Sequence, residues 1–174
     1  SLIHIAAHGE PTRGEILLAP ISFSSQPFPD VSKPESYLLT QEDIMSVSVK
    51  ARFVVLCCCD TGQGKVSSEG VTGITRAFLA AGARSVLSTL WRIDDRATKE
   101  FMEKFYAELC EETSVCEALK RAMNFFQNHE NERYRSDMIW APFTIYGEDV
   151  KFKRDEIEEI RKQSRQKFEG FAVI

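Results

Sequence analysis

The chain contains no long hydrophobic run and no marked excess of charge of either sign. Its longest wholly apolar stretch, residues 53–59, is far shorter than the roughly 20 residues that a membrane-spanning helix needs. Twenty-two basic residues stand against 26 acidic ones, for a net charge of −4, and no basic-then-apolar signal segment opens the chain. We therefore expect neither a nucleic acid nor a membrane as its partner.

The five cysteines do not form the regular spacing of a disulfide framework. Three of them, Cys57, Cys58 and Cys59, are consecutive, and neighbouring strand residues point to opposite faces, so these three cannot all reach one metal ion. The pattern predicts a cytoplasmic, reducing environment and neither a metal nor another cofactor. Because Ser1 stands where an initiator Met would be, we expect this sequence to be part of a longer chain.

Apolar and amphipathic segments alternate along a chain whose 174 residues suit a single domain. Apolar runs typical of strands lie at residues 2–7, 15–19, 53–58, 85–90 and 143–146. Helical spacing of apolar residues predicts helices over 71–81, 97–109 and 115–126. The capping residues Thr40 and Ser114 predict helix starts at residues 41 and 115. This alternation predicts an α/β fold, with a mainly parallel sheet and helices on its faces.

Charged residues dominate the end of the chain. Beyond a domain of residues 1–147, the apolar stripe of this segment is narrow and consists of Ile157, Ile160, Ser164 and Phe168. Such a stripe predicts a charged helical or flexible extension over residues 148–174, outside the core.

Two reactive side chains directly follow predicted strands. His8 follows the first strand and Cys59 follows the central one, 51 positions later. Open α/β sheets bind ligands at the carboxyl ends of their strands, and an imidazole near a thiol can accept its proton. The backbone N–H groups of Gly9 and Cys59 could then hold an oxyanion. The residues alone leave open an inert core thiol and a turn histidine, and Cys57 and Cys58 are expected to pack in the core.

Five segments, in this order, resemble the CHAT domains, which are caspase-like peptidase domains of the caspase/separase clan (clan CD). They are HIAAHG at residues 4–9, VVLCCCDTG at 54–62, EGVTGITRAFLAAGARSV at 69–86, LWRIDD at 90–95 and WAPFTIYG at 140–147. The resemblance implies a caspase-hemoglobinase fold with helices on both faces of the sheet. It aligns His8 and Cys59 with a catalytic pair that cleaves peptide bonds through a thioester. The family usually has Ser-Ala where this chain has Cys57 and Cys58, which are also small.

The resemblance also bears on architecture and partners. The family domain begins earlier, so it implies an N-terminally truncated domain that lacks the first strand–helix units. Many eukaryotic members carry the domain after tetratricopeptide repeats, which implies such repeats in the full-length chain or in a partner, and a protein or peptide as substrate. Two alternatives stay open: a catalytically inactive scaffold for protein interaction, and a redox-sensing thiol at Cys57 to Cys59.

The resemblance implies that residues 88–95 lie along the substrate-binding cleft. Asp94 and Asp95 follow Trp91 much as acidic residues do in separases, which prefer arginine before the cleaved bond. A carboxylate binds a guanidinium through two parallel hydrogen bonds. Either aspartate could instead cap the helix over residues 97–109. The sequence favours the cap for Asp94 and leaves both roles open for Asp95.

Overall fold

A computed structural model describes residues 1–9, 15–18, 37–58, 69–91 and 93–168. Within these ranges, six strands form one sheet in the order β3-β2-β1-β4-β5-β6. They are β1 (Leu2–Gly9), β2 (Ile16–Leu17), β3 (Leu38–Leu39), β4 (Phe53–Cys58), β5 (Ser85–Thr89) and β6 (Phe143–Gly147).

The centre of the sheet is parallel and its outer strands are antiparallel. β1 pairs with β4 and β4 with β5 in parallel, whereas β2, β3 and β6 pair antiparallel to their neighbours. The expected parallel arrangement is therefore confirmed for the three core strands. β6 is antiparallel to β5. Two long helices lie between these strands in the chain, one leading away from the end of β5 and the other leading back, so β6 begins beside the residue at which β5 ends.

Seven helices lie in the described ranges. They are α1 (Gln41–Met45), α2 (Glu69–Ala80), α3 (Asp95–Leu109), α4 (Val115–Gln127), α5 (Glu132–Arg135), α6 (Asp137–Trp140) and α7 (Arg154–Phe168). None of these helices is both long and apolar enough to cross a membrane. The expected caps are present at α1 and α4, where the Thr40 and Ser114 hydroxyls accept hydrogen bonds from backbone N–H groups of the first turn.

The side chains of β4 alternate between two apolar layers. Phe53, Val55 and Cys57 pack in a cluster with α3 and α4, and Val54 and Leu56 pack on the other face with α1 and α2. A strand covered on both faces must be apolar at every position, which explains its uninterrupted hydrophobic sequence. The expectation of helices on both faces is confirmed.

The chain beyond residue 147 contributes to the core, which corrects one expectation. Val150, Phe152 and Ile157 are buried in the same cluster as α3 and α4. Arg52 reaches this segment from the start of β4 and forms an ion pair with Glu156 at 2.5 Å. The expectation of a segment outside the core is wrong at these positions. Phe152, which is fully buried, precedes helix α7 and so lies outside the helical stripe that begins at Ile157. The domain boundary at residue 147 stays a prediction.

Candidate active site

The expected catalytic residues follow two neighbouring parallel strands. The β1–β4 register runs from Leu2 opposite Phe53 to Ala7 opposite Cys58. His8 comes next in β1, is exposed, and lies opposite Leu17 of β2. Cys59 follows Cys58 in the sequence but lies outside the described residues, and so does Asp60. The adjacency of the two strands is thus confirmed, and the approach of the thiol to the imidazole stays a prediction.

A groove of about 700 Å³ lies between β1 and α3, with His8 in its wall. Residues of β1 two apart share a face of the sheet, and His4, Ala6 and His8 accordingly all line this groove. Cys57 of β4 lines it beside Ala6, which is its partner in the register. The groove therefore runs along the sheet from the carboxyl end of β1 towards its start.

The two described cysteines of the three-cysteine run face opposite sides of the sheet. Cys57 is 7% exposed and belongs to the cluster under α3 and α4. Cys58 is half-buried and packs against the cluster under α1 and α2. The prediction that both pack in the core is confirmed.

Asp94 and Asp95 begin helix α3 but have different surroundings. Asp94 is the N-cap: its Oδ1 accepts a hydrogen bond from the Ala97 N–H at 3.1 Å and lies 3.6 Å from a guanidinium nitrogen of Arg133. Asp95 is exposed and lines the groove that also contains His8. The structure therefore assigns Asp94 the capping role, and it brings Asp95 to the groove.

The other expected site residues lie around this end of the sheet. Gly9 is buried and lies opposite Ile16 of β2. Trp91 is half-buried, and its Nε1 donates a hydrogen bond to the carbonyl oxygen of Met138 at 3.3 Å. Within the described ranges, no three His, Cys, Asp or Glu side chains are grouped so that they could hold a metal ion.

The structure adds a polar pair that sequence reasoning missed. The Tyr106 hydroxyl of α3 lies 2.8 Å from Nδ1 of His4 in β1. Loss of water around the ring lowers the pKa of His4, and burial, with a further contribution from the Cys57 thiol, raises the pKa of Tyr106. Both groups are thus neutral at neutral pH, and the tautomer of His4 sets which of the two donates the hydrogen bond. The one signal in the sequence was a histidine within an apolar strand, in phase with His8.

The parallel core, its helices on both faces and the groove at the carboxyl end of β1 define an α/β domain of the caspase-like class. Residues 1–148 match the family model of the CHAT domain, and the chain belongs to this family. Among curated proteins it is similar to tetratricopeptide repeat protein 28 of Mus musculus, with 37% identity over 114 residues, which are 66% of this chain and 5% of that protein. For the Homo sapiens protein of the same name, the identity is 37% over 117 residues, 67% of this chain and 5% of the relative. The chain thus spans only a small part of the relatives' length.

Proposed function

We propose that this CHAT domain is a cysteine endopeptidase whose catalytic residues are His8 and Cys59. The register of β1 and β4 carries the proposal. Its last described pair is Ala7 and Cys58, and His8 and Cys59 are the next residues of the two chains. Neighbouring strands lie about 4.8 Å apart, so a pairing continued by one residue would set the imidazole and the thiol on adjacent positions.

Two side chains of this kind suffice for acyl transfer. The Cys59 sulfur attacks the scissile carbonyl carbon and forms a thioester, while His8 delivers a proton to the leaving amine. Water then attacks the thioester with His8 as the base, which releases the acid and restores the thiol. The N–H groups of Gly9 and Cys59 are proposed to hold the negatively charged oxygen of each tetrahedral intermediate.

The groove beside His8 supports a preference for arginine before the cleaved bond. Ala6 and Met102 offer apolar surface for the methylene groups of a long side chain, and Asp95 offers a carboxylate for its guanidinium. Lys99 also lines the groove, and its Nζ lies 3.8 Å from Oε1 of Glu103. Trp91 and Asp94 are proposed to border the substrate cleft, where Asp94 acts through its cap on α3.

The setting of this activity is a further part of the proposal. The relatives are tetratricopeptide repeat proteins by name, and we propose that repeats of this kind, in the same chain or in a partner, present protein substrates to the domain. A run of thiols that includes Cys57 and Cys58 suits the reducing cytoplasm.

The test is cleavage of a peptide library, with products identified by mass spectrometry. Wild type should cleave preferentially after arginine, and Cys59→Ala and His8→Ala should abolish cleavage. Cys58→Ala is the matched control, because it removes a neighbouring thiol that packs on the opposite face from Cys57, and it should cleave like wild type. Equal processing by wild type and Cys59→Ala, or no cleavage by any of them, would contradict the peptidase and leave the inactive scaffold and the redox-sensing thiol.

Alkylation by iodoacetamide separates the redox alternative from the peptidase. If His8 activates Cys59, the pH midpoint of Cys59 alkylation should lie below that of a free thiol, about 8.5. Cys116 is the slow reference, because burial and Asp149 raise its pKa to about 11. Fast alkylation at Cys59 without any peptide cleavage would support a redox-sensing thiol and contradict the peptidase.

A further inference from the structure

Tyr106 lies where helix α3 meets both strands that lead to the proposed catalytic pair. Its hydroxyl is hydrogen bonded to His4, four residues before His8 in β1. It also lines the groove together with Cys57, two residues before Cys59 in the chain. The rings of His4 and Tyr106 lie 5.7 Å apart between their centroids. One side chain of α3 is therefore in contact with the wall that both strands form.

β1 has more need of such support than the other core strands. β4 and β5 are buried along almost their whole length, whereas every residue of β1 before Gly9 is exposed or half-buried. Its described pairing with β2 is limited to His8 and Gly9. Residues 2–7 are held by the ladder with β4 and by packing of Leu2, Ile5 and Ala7 against the two apolar clusters. The hydrogen bond between His4 and Tyr106 adds a polar contact to α3.

We propose that Tyr106 is a positioning residue for the His8–Cys59 pair: its hydrogen bond to His4 ties β1 to α3 and so sets where His8 stands relative to the end of β4. The inference rests on the proposed function. Reaction rates depend steeply on such placement, because a displacement of about 1 Å can cost as much as a hundredfold in rate.

The molecule supplies a matched control for this role. The Tyr134 hydroxyl donates a hydrogen bond to Oε1 of Glu100, also on α3, at 2.7 Å. Tyr106→Phe and Tyr134→Phe each remove one hydroxyl that is bonded to a second element. If each hydroxyl only stabilises the fold, both variants should unfold at lower urea concentration and react alike. Only the Tyr106 hydroxyl is hydrogen bonded to β1, the strand that carries His8.

The experiment compares the rate and pH midpoint of iodoacetamide alkylation at Cys59 in wild type, Tyr106→Phe, Tyr134→Phe, His4→Leu and Tyr106→Phe/His4→Leu. Urea unfolding of each variant verifies that it is folded under the assay conditions. We expect Tyr106→Phe to slow the alkylation of Cys59 by about twofold to tenfold, the factor that corresponds to the loss of one neutral hydrogen bond. The pH midpoint of alkylation should also rise. Tyr134→Phe should match wild type. The double variant should be no slower than the slower single variant, since both remove the same bond.

The inference is overturned if Tyr106→Phe alkylates like wild type, if Tyr134→Phe slows the reaction equally, or if the two single effects simply multiply. Failure of the proposed function has a different signature. In that case the pH midpoint of Cys59 alkylation in the wild type would not lie below that of a free thiol, about 8.5, before any variant is considered.

Discussion

Replacement of Phe152 by alanine tests whether the segment after β6 belongs to the core of the domain. Phe152 is 0% exposed and packs in the cluster that α3 and α4 share. The Arg52 guanidinium carbon also lies 5.0 Å from the centre of its ring. Truncation of a buried phenylalanine costs about 3–5 kcal/mol through lost transfer energy and the cavity left behind, and loss of the cation–π contact adds about 0.5 kcal/mol at a partly exposed site.

We therefore expect Phe152→Ala to lower the free energy of unfolding by about 4 kcal/mol, a large part of the roughly 5–15 kcal/mol that a domain possesses. Urea unfolding followed by circular dichroism measures the change. Lys153→Ala is the control. Lys153 is the next residue and its side chain is exposed, so its removal should change the free energy of unfolding by less than about 0.5 kcal/mol. A loss below about 1 kcal/mol in Phe152→Ala would refute the reasoning, and the segment would then be an extension outside the core.

Two further predictions concern α3. Asp94→Ala removes its N-cap and should cost about 1 kcal/mol in urea unfolding, whereas Asp95→Ala should change stability little and reduce the preference for arginine in peptide cleavage; the reverse pattern would exchange their assigned roles. Glu108 accepts hydrogen bonds from Lys104 and Arg121, and these bonds lower the pKa of its carboxyl group. Because the pKa of Glu108 is lower in the folded state, these bonds stabilise the protein at a pH above the pKa of the unfolded state, near 4.3. The stabilisation is lost as the pH falls through the lower pKa of the folded state. Glu108→Gln should thus be about 1 kcal/mol less stable than wild type at pH 7 and equally stable near pH 2, and a gap that persists in acid would contradict this origin.

The local structure was predictable from short stretches of sequence. The uninterrupted apolar run of residues 53–58 predicted a strand covered on both faces, and β4 is such a strand. Thr40 and Ser114 were predictable as caps because a cap is a contact between residues three apart in the chain. The position of His8 at the carboxyl end of β1 follows from the same kind of evidence.

Contacts between distant residues required the tertiary structure. Nothing in the sequence near Tyr106 indicates a hydrogen bond to His4, 102 positions away, because the partner is set by how α3 lies across β1. Phe152 is an apolar residue within a charged segment, and it is buried because it packs in the cluster that contains side chains of α3 and α4.

Periodicity and neighbours in the chain were enough to predict five of the six described strands, helices α1 to α4 and the residues available for chemistry, but not β3, α5 or α6. The antiparallel direction of β6, the burial of Phe152 and the position of Asp95 at the groove depend instead on contacts between remote segments. A strand of the same sequence could run in either direction, and an apolar residue of the same segment could be buried or exposed. Packing between remote segments selects one of these arrangements, and the local sequence is compatible with all of them.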